Sequence, residues 1–281
     1  MTCLTPFMKF DGEGVAPFPC GHCPNCRRSK SGEWSLRISL ESLSWNDLAF
    51  VTLTYDNENC PKDYSLVPSH LTNFVKRLRS HIERRGVSGK IRYYGVGEYG
   101  DRFKRPHYHL IIFGLKPEDF HLVNASWKMG LIDVQKPLSV EQCTNYVAGY
   151  VTKKFRKIRY GDKVPPFNRQ SMGLGKEFVL KLPYYTPYLQ VGKYKRPLGR
   201  FLRNKLAEKF GVLEEVKKEG LQKLYEKTSE VINNVYERGL IKIEEFFDNA
   251  CKTAYKCWSI YYEGETEEAY ARLKLFNRKD L

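Results

Sequence analysis

The stretch that most constrains the fold is Arg105-Pro106-His107-Tyr108-His109-Leu110-Ile111-Ile112-Phe113-Gly114. Leu110 to Phe113 are apolar on both parities, which marks a strand buried on both faces. Pro106 opens the strand and Gly114 closes it. Alternate side chains of a strand share a face, so His107 and His109 point one way and Tyr108 the other, into the core. Two imidazoles side by side at the mouth of a buried strand can share one divalent ion.

The flanking segments supply partners for that strand. Ala49 to Tyr55 is β-branched and aromatic, a second strand with Thr52 and Thr54 on one face. Pro68 to about Arg85 has an apolar stripe of Leu71, Phe74, Val75, Leu78 and Ile82, which predicts an amphipathic helix. Ile91 to Tyr99 reads as a strand, and a short loop, Gly100 to Lys104, makes it a hairpin with the histidine strand. That hairpin brings Glu98 close to His107. Two imidazoles, a carboxylate and open positions suit Mn²⁺ or Mg²⁺ in a phosphate-handling site. Pro117 to Trp127 then reads as a helix and Gly130 to Gln135 as a strand. The order is βαββαβ, an α+β fold with an antiparallel, ferredoxin-like or RRM-like sheet and helices on one face.

A further helix begins at Ser139, with Val140, Cys143, Val147 and Val151 as its buried stripe. Tyr146, Tyr150 and Lys154 recur at intervals of four, and Lys153 lies one turn beyond Tyr150. Taken alone, these would be boundary tyrosines beside a solvated basic face. Near the other end of the chain, Cys20-Gly21-His22-Cys23-Pro24-Asn25-Cys26 offers three thiolates at zinc-knuckle spacing. A structural Zn²⁺ takes four ligands. Cys3 is the expected fourth, with His22 and Cys60 as alternatives. Trp34 and Ile38 lie in a helix read over Arg27 to Leu43.

Formal net charge is +15, with 19 Tyr and 16 Phe. Such a balance points to a polyanion, and aromatic rings among Lys and Arg suit nucleic acid. No apolar run of about 18 residues exists, which excludes a spanning helix. With no signal-like N-terminus, a cytoplasm is expected, where the eight Cys would be thiols or metal ligands. The sequence falls into a Cys-rich knuckle and basic helix (1–45), a domain built around the histidine strand (46–160), a basic irregular linker (161–199) and a helical C-terminal region (200–281).

Three segments together resemble one family: Phe50-Val51-Thr52-Leu53-Thr54-Tyr55, Pro106-His107-Tyr108-His109, and Tyr146-Val147-Ala148-Gly149-Tyr150-Val151-Thr152-Lys153-Lys154. They are similar to rolling-circle replication initiators of the HUH endonuclease superfamily, in particular those of the gokushovirus group of single-stranded DNA phages. The Cys knuckle and Gly97-Glu98-Tyr99-Gly100 also look like that group, and the likeness covers about residues 1–160. It implies a nicking enzyme that joins DNA to a tyrosine through a 5′-phosphotyrosine. Tyr150 and Tyr146 would be the nucleophiles, assisted by Lys153 and Lys154. His107, His109 and Glu98 would hold Mg²⁺ or Mn²⁺. Arg105, Arg156 and Lys157 would contact DNA. The partners implied are single-stranded DNA or an origin hairpin, a host helicase and a host polymerase, in the cytoplasm of a bacterium. The rival readings are a water-using metal nuclease, a non-catalytic DNA-binding protein, and a relaxase or transposase of the same superfamily. No G-x-x-x-x-G-K-[ST] occurs, so no helicase is expected in this chain.

Overall fold

The computed structural model describes residues 2–85, 90–100, 103–137, 160–241 and 249–276, the side chains of 273–276 excepted. It divides into two compact units, Ser31–Leu206 on one hand and Met1–Lys30 with Ala207–Leu281 on the other.

The Ser31–Leu206 unit is built on a five-stranded sheet. Its strands are β3 (Leu48–Thr54), β4 (Arg92–Tyr99), β5 (Pro106–Phe113), β6 (Ile132–Gln135) and β7 (Phe167–Gln170). They run in the order β6-β3-β5-β4-β7, every neighbour antiparallel. The histidine strand β5 is central, which is why its apolar run needs burial on both sides. Helices α2 (Pro68–Arg84) and α3 (His121–Trp127) cover one face. There Leu71, Phe74, Leu78 and Trp127 meet Val51, Leu53, Tyr108, Leu110 and Ile112 in one core. Strands, α2 and α3 follow the βαββαβ order.

Two features differ from the sequence expectation. The opposite face is not left bare: α1 (Pro24–Ser42) packs Trp34 and Ile38 on Tyr94, Val96, Ile111 and Phe113, together with Leu174. Polar contacts lock this arrangement. Buried Glu41 pairs with Arg92 at 2.8 Å and accepts from Gly175 N at 2.8 Å and Trp45 Nε1 at 3.0 Å. Arg37 Nε donates to Leu174 O at 3.1 Å. Nor is 161–199 irregular throughout. It supplies β7, a short helix α4 (Lys176–Val179) and a hairpin of β8 (Tyr188–Val191) and β9 (Tyr194–Pro197). β7 is stabilised by pairing with β4, a non-local gain that its own composition does not display.

The second unit joins the two ends of the sequence. A hairpin of β1 (Phe7–Phe10) and β2 (Val15–Phe18) and the cysteine segment pack on helices α6 (Leu213–Glu237), α7 (Ala250–Tyr261) and α8 (Glu263–Phe276). Helix α5 (Gly199–Phe210) precedes them. Leu4, Met8, Val15 and Cys23 share a core with Val231, Val235, Cys257 and Trp258. Trp258 Nε1 donates to Cys3 O at 2.9 Å, and Tyr225 donates to the Asp11 carboxylate.

Candidate functional site

Sheet register assembles the histidine site. On one face of the sheet, Thr54, His107 and Glu98 form a row across β3, β5 and β4, and Thr52, His109 and Val96 form the next. His109 is buried and held at both ring nitrogens. Its Nδ1 lies 3.1 Å from Thr52 Oγ1, and its Nε2 lies 3.1 Å from Glu98 Oε1. Phe50 stacks beside it, ring centroids 6.0 Å apart. His107 is half-buried, its ring centroid 6.0 Å from that of His109.

Glu98 is the register partner of His107, yet its carboxylate contacts His109. Diagonal neighbours on adjacent strands stand within reach of a long side chain, and Glu98 uses that reach. Gly100 makes room at the open end. A Cβ there would stand 2.7 Å from His107 Nε2, so any larger residue must displace the ring. The sequence reading does not pair Thr52 with His109. The signal lies in its parity, since strand residues opposite one another share a face.

Tyr108 points away from the histidines, as the alternation requires. It is fully buried and its hydroxyl lies 2.7 Å from that of Tyr55, which in turn lies 2.8 Å from His70 Nδ1. Burial raises both phenols well above the ordinary tyrosine range, and the contact with Tyr108 raises Tyr55 further. These two are therefore fixed as neutral core groups. Arg105 donates to Asn57 Oδ1 at 2.9 Å, Tyr55 O at 2.9 Å and Asp56 O at 3.0 Å, so its guanidinium ties down the loop after β3. Tyr146, Tyr150, Lys153, Lys154, Arg156 and Lys157 lie outside the described residues.

The Cys3, Cys20, Cys23 and Cys26 sulfurs all lie within 4.8 Å of one another. Among the described residues this is the one group of three or more metal-ligating side chains so closely gathered. Cys3 Sγ is 3.9 Å from Cys23 Sγ, and Cys20 Sγ is 4.0 Å from Cys26 Sγ. His22 turns aside to Cys20 O at 2.9 Å, and Cys60 packs on the sheet core, so Cys3 is the residue that joins the knuckle. Cys23 Sγ also accepts from Cys26 N at 3.5 Å. The contact between the Cys3 and Cys23 sulfurs pulls Cys23 down to about 4 and, with burial, pushes Cys3 well above the ordinary thiol range. Such a cluster favours a thiolate even before a cation arrives.

The family described as Replication-associated protein ORF2 matches residues 48–155. The chain is 34% identical over 189 residues to Replication-associated protein ORF2 of Spiroplasma virus 4, covering 58% of this chain and 57% of that one. It is 32% identical over 158 residues to Replication-associated protein ORF4 of Chlamydia phage 1, covering 50% and 39%. Replication-associated protein VP4 of Bdellovibrio phage phiMH2K is 42% identical over 106 residues, 36% of this chain and 33% of its own.

The chain resembles phage replication-associated proteins.

It spans 57% or less of the length of each of these three relatives. No solved structure matches it. The family match begins at the first residue of β3 and runs through β6, so it contains Thr52, Glu98, His107 and His109, and the segment with Tyr146 and Tyr150. The cysteine cluster and the C-terminal helices lie outside that match. Among the described residues, no helix is long and apolar enough to cross a membrane.

Proposed function

We propose that the chain is a replication initiator of a single-stranded DNA phage, and that it nicks and rejoins DNA as an HUH endonuclease. The observation that carries this reading is the row of His107, His109 and Glu98 on one sheet face, inside the segment shared with replication-associated proteins. Relatives share only part of their length with this chain, so the activity rests on the site's chemistry.

Glu98 and His109 stand close enough to share a hard divalent ion, with His107 on the same sheet face as the third candidate donor. Adjacent ligands on an octahedral ion with bonds of about 2.1 Å stand about 3.0 Å apart. Glu98 Oε1 and His109 Nε2 are 3.1 Å apart. Thr52 at Nδ1 fixes the ring so that Nε2 faces the carboxylate, the outer support that ligating histidines use. When bound, Mg²⁺ or Mn²⁺ would polarise the scissile phosphate. A tyrosine oxygen, from Tyr150 or Tyr146, attacks phosphorus; the bond to the 3′ oxygen breaks, leaving a 5′-phosphotyrosine and a free 3′-OH. The phenol proton leaves with help from Lys153 or Lys154, which also offset phosphate charge. The phosphotyrosine conserves the bond, so a later 3′-OH can reverse the step without ATP.

The cysteine cluster is read as a structural Zn²⁺ site. A tetrahedral ion with Zn–S of about 2.3 Å sets its sulfurs about 3.8 Å apart. Two of the sulfur pairs, at 3.9 Å and 4.0 Å, stand near that spacing, and all four sulfurs lie within 4.8 Å of one another.

The deciding experiment incubates the chain with end-labelled single-stranded DNA and Mn²⁺, followed by a denaturing gel. A covalent protein–DNA band that EDTA suppresses is expected. Cleaved DNA with no such band would replace the tyrosine mechanism by water attack. Binding with neither product would make the chain a non-catalytic DNA-binding protein.

A further inference from the structure

The β8–β9 hairpin is not part of the five-stranded sheet; among the described residues its strands pair only with each other. It is rooted firmly. Leu198 N donates to Pro187 O at 3.0 Å across its base, Leu198 is fully buried, and Arg196 donates to Gly32 O of α1 at 3.2 Å. A two-residue turn closes it, with Gly192 at φ 56° as a tight hairpin needs.

Beyond that root the ribbon is open. Tyr188 is 51% exposed, Val191 45% and Tyr194 65%. Register puts Tyr188 opposite Pro197 and Tyr194 opposite Val191, so the two rings lie on opposite faces of the ribbon. A lone two-stranded ribbon is marginally stable in water, and exposing its largest side chains makes it no better. The charge around it has one sign. Residues 178–207 contain seven Lys and Arg and neither Asp nor Glu. Lys193 and Lys195 are exposed, and Lys193 Nζ lies 5.4 Å from the centroid of the Tyr194 ring.

We propose that this hairpin is a second DNA-contact site that holds single-stranded DNA, stacking unpaired bases on Tyr188 and Tyr194 while Lys193 and Lys195 meet the phosphates. The proposal rests on the reading of DNA as the substrate. Cationic side chains alone would suit any polyanion. Exposed rings beside them favour unpaired bases, whose π-faces a duplex hides within its own stack. Stacking on aromatics is tolerant of sequence, so this site would add grip rather than choose the origin.

The test measures binding of the full chain to a labelled single-stranded oligonucleotide and to the same sequence as duplex. Y188A/Y194A should weaken single-strand binding about tenfold or more, leave duplex binding unchanged, and be rescued by Y188F/Y194F, which keeps the rings. K193A/K195A should lower the magnitude of the log–log salt slope on single strands by about 1.4. Circular dichroism of each variant confirms that the fold is kept. Wild-type affinity in Y188A/Y194A, or equal loss on single strand and duplex, would overturn the proposal. Covalent adduct formation is scored separately on the wild type. A wild type that binds without forming an adduct removes the nicking reading and leaves the hairpin's role to be judged on the binding data alone.

Discussion

The two candidate metal sites are made in opposite ways. The cysteine cluster draws its sulfurs from the segment before β1 (Cys3), the stretch before α1 (Cys20 and Cys23) and the first turn of α1 (Cys26), all within 4.8 Å of one another. The histidine site takes side chains from three neighbouring strands and lays them on a sheet face, where register alone sets their spacing. Four sulfur donors would fill a tetrahedral ion, whereas His107, His109 and Glu98 on a hard divalent ion would leave positions open for a substrate. Closed coordination belongs with stability and open coordination with chemistry. With metal bound at both, the two clusters would do different work although both are built from metal-ligating residues.

That contrast can be broken by substitution. On the proposed mechanism, His109→Ala should abolish the covalent DNA adduct on the denaturing gel while leaving most DNA binding, because a metal held there would act on the reacting phosphate. An adduct of normal yield in that variant would remove the histidines from the chemistry. Cys23→Ser should remove zinc from purified protein, as read by metal analysis, and lower the thermal midpoint of the unit that holds it. If zinc content is unchanged, the cluster is not its site.

Thr52→Val tests the support beneath His109. Loss of the outer partner of a ligating histidine typically costs 10–100-fold in metal affinity or activity. The Mn²⁺ concentration for half-maximal adduct formation should rise about tenfold or more, and Thr52→Ser should restore it. The smallest effect is expected at Arg105. Its contacts hold residues 55–57, so Arg105→Ala should cost about 1 kcal/mol in denaturant unfolding. The salt slope of DNA binding should not change. A decrease of about 0.7 would instead make Arg105 a phosphate ligand.

Much of the sheet is legible locally. The unbroken apolar run of Leu110 to Phe113 gives the central strand, and the stripe from Leu71 to Ile82 gives α2, because each signal sits within one element. Features that depend on distant residues are not legible. Nothing in Phe167 to Gln170 distinguishes a strand from a loop until β4 is beside it. The α1 helix carries Trp34 and Ile38 in its own sequence, but which sheet face they cover depends on Glu41 meeting Arg92 and Gly175, 51 and 134 residues away. At the histidine site, parity orients His107, His109 and Tyr108. The diagonal contact from Glu98 to His109 depends on a side-chain torsion that spacing does not encode.

The shared core of Leu4, Met8 and Cys23 with Val235, Cys257 and Trp258 has a consequence during synthesis. Residues 1–30 leave the ribosome well before the helices they pack on, which are encoded after residue 207. At about 5–20 residues per second, the first segment waits roughly 10–35 s for its apolar partners. Over that interval Leu4, Met8 and Val15 lack the helical side of their core. The cysteine cluster needs no such wait, because Cys3 to Cys26 are translated within 24 residues of one another. Its closure can organise the nascent segment long before Trp258 arrives to donate to Cys3 O.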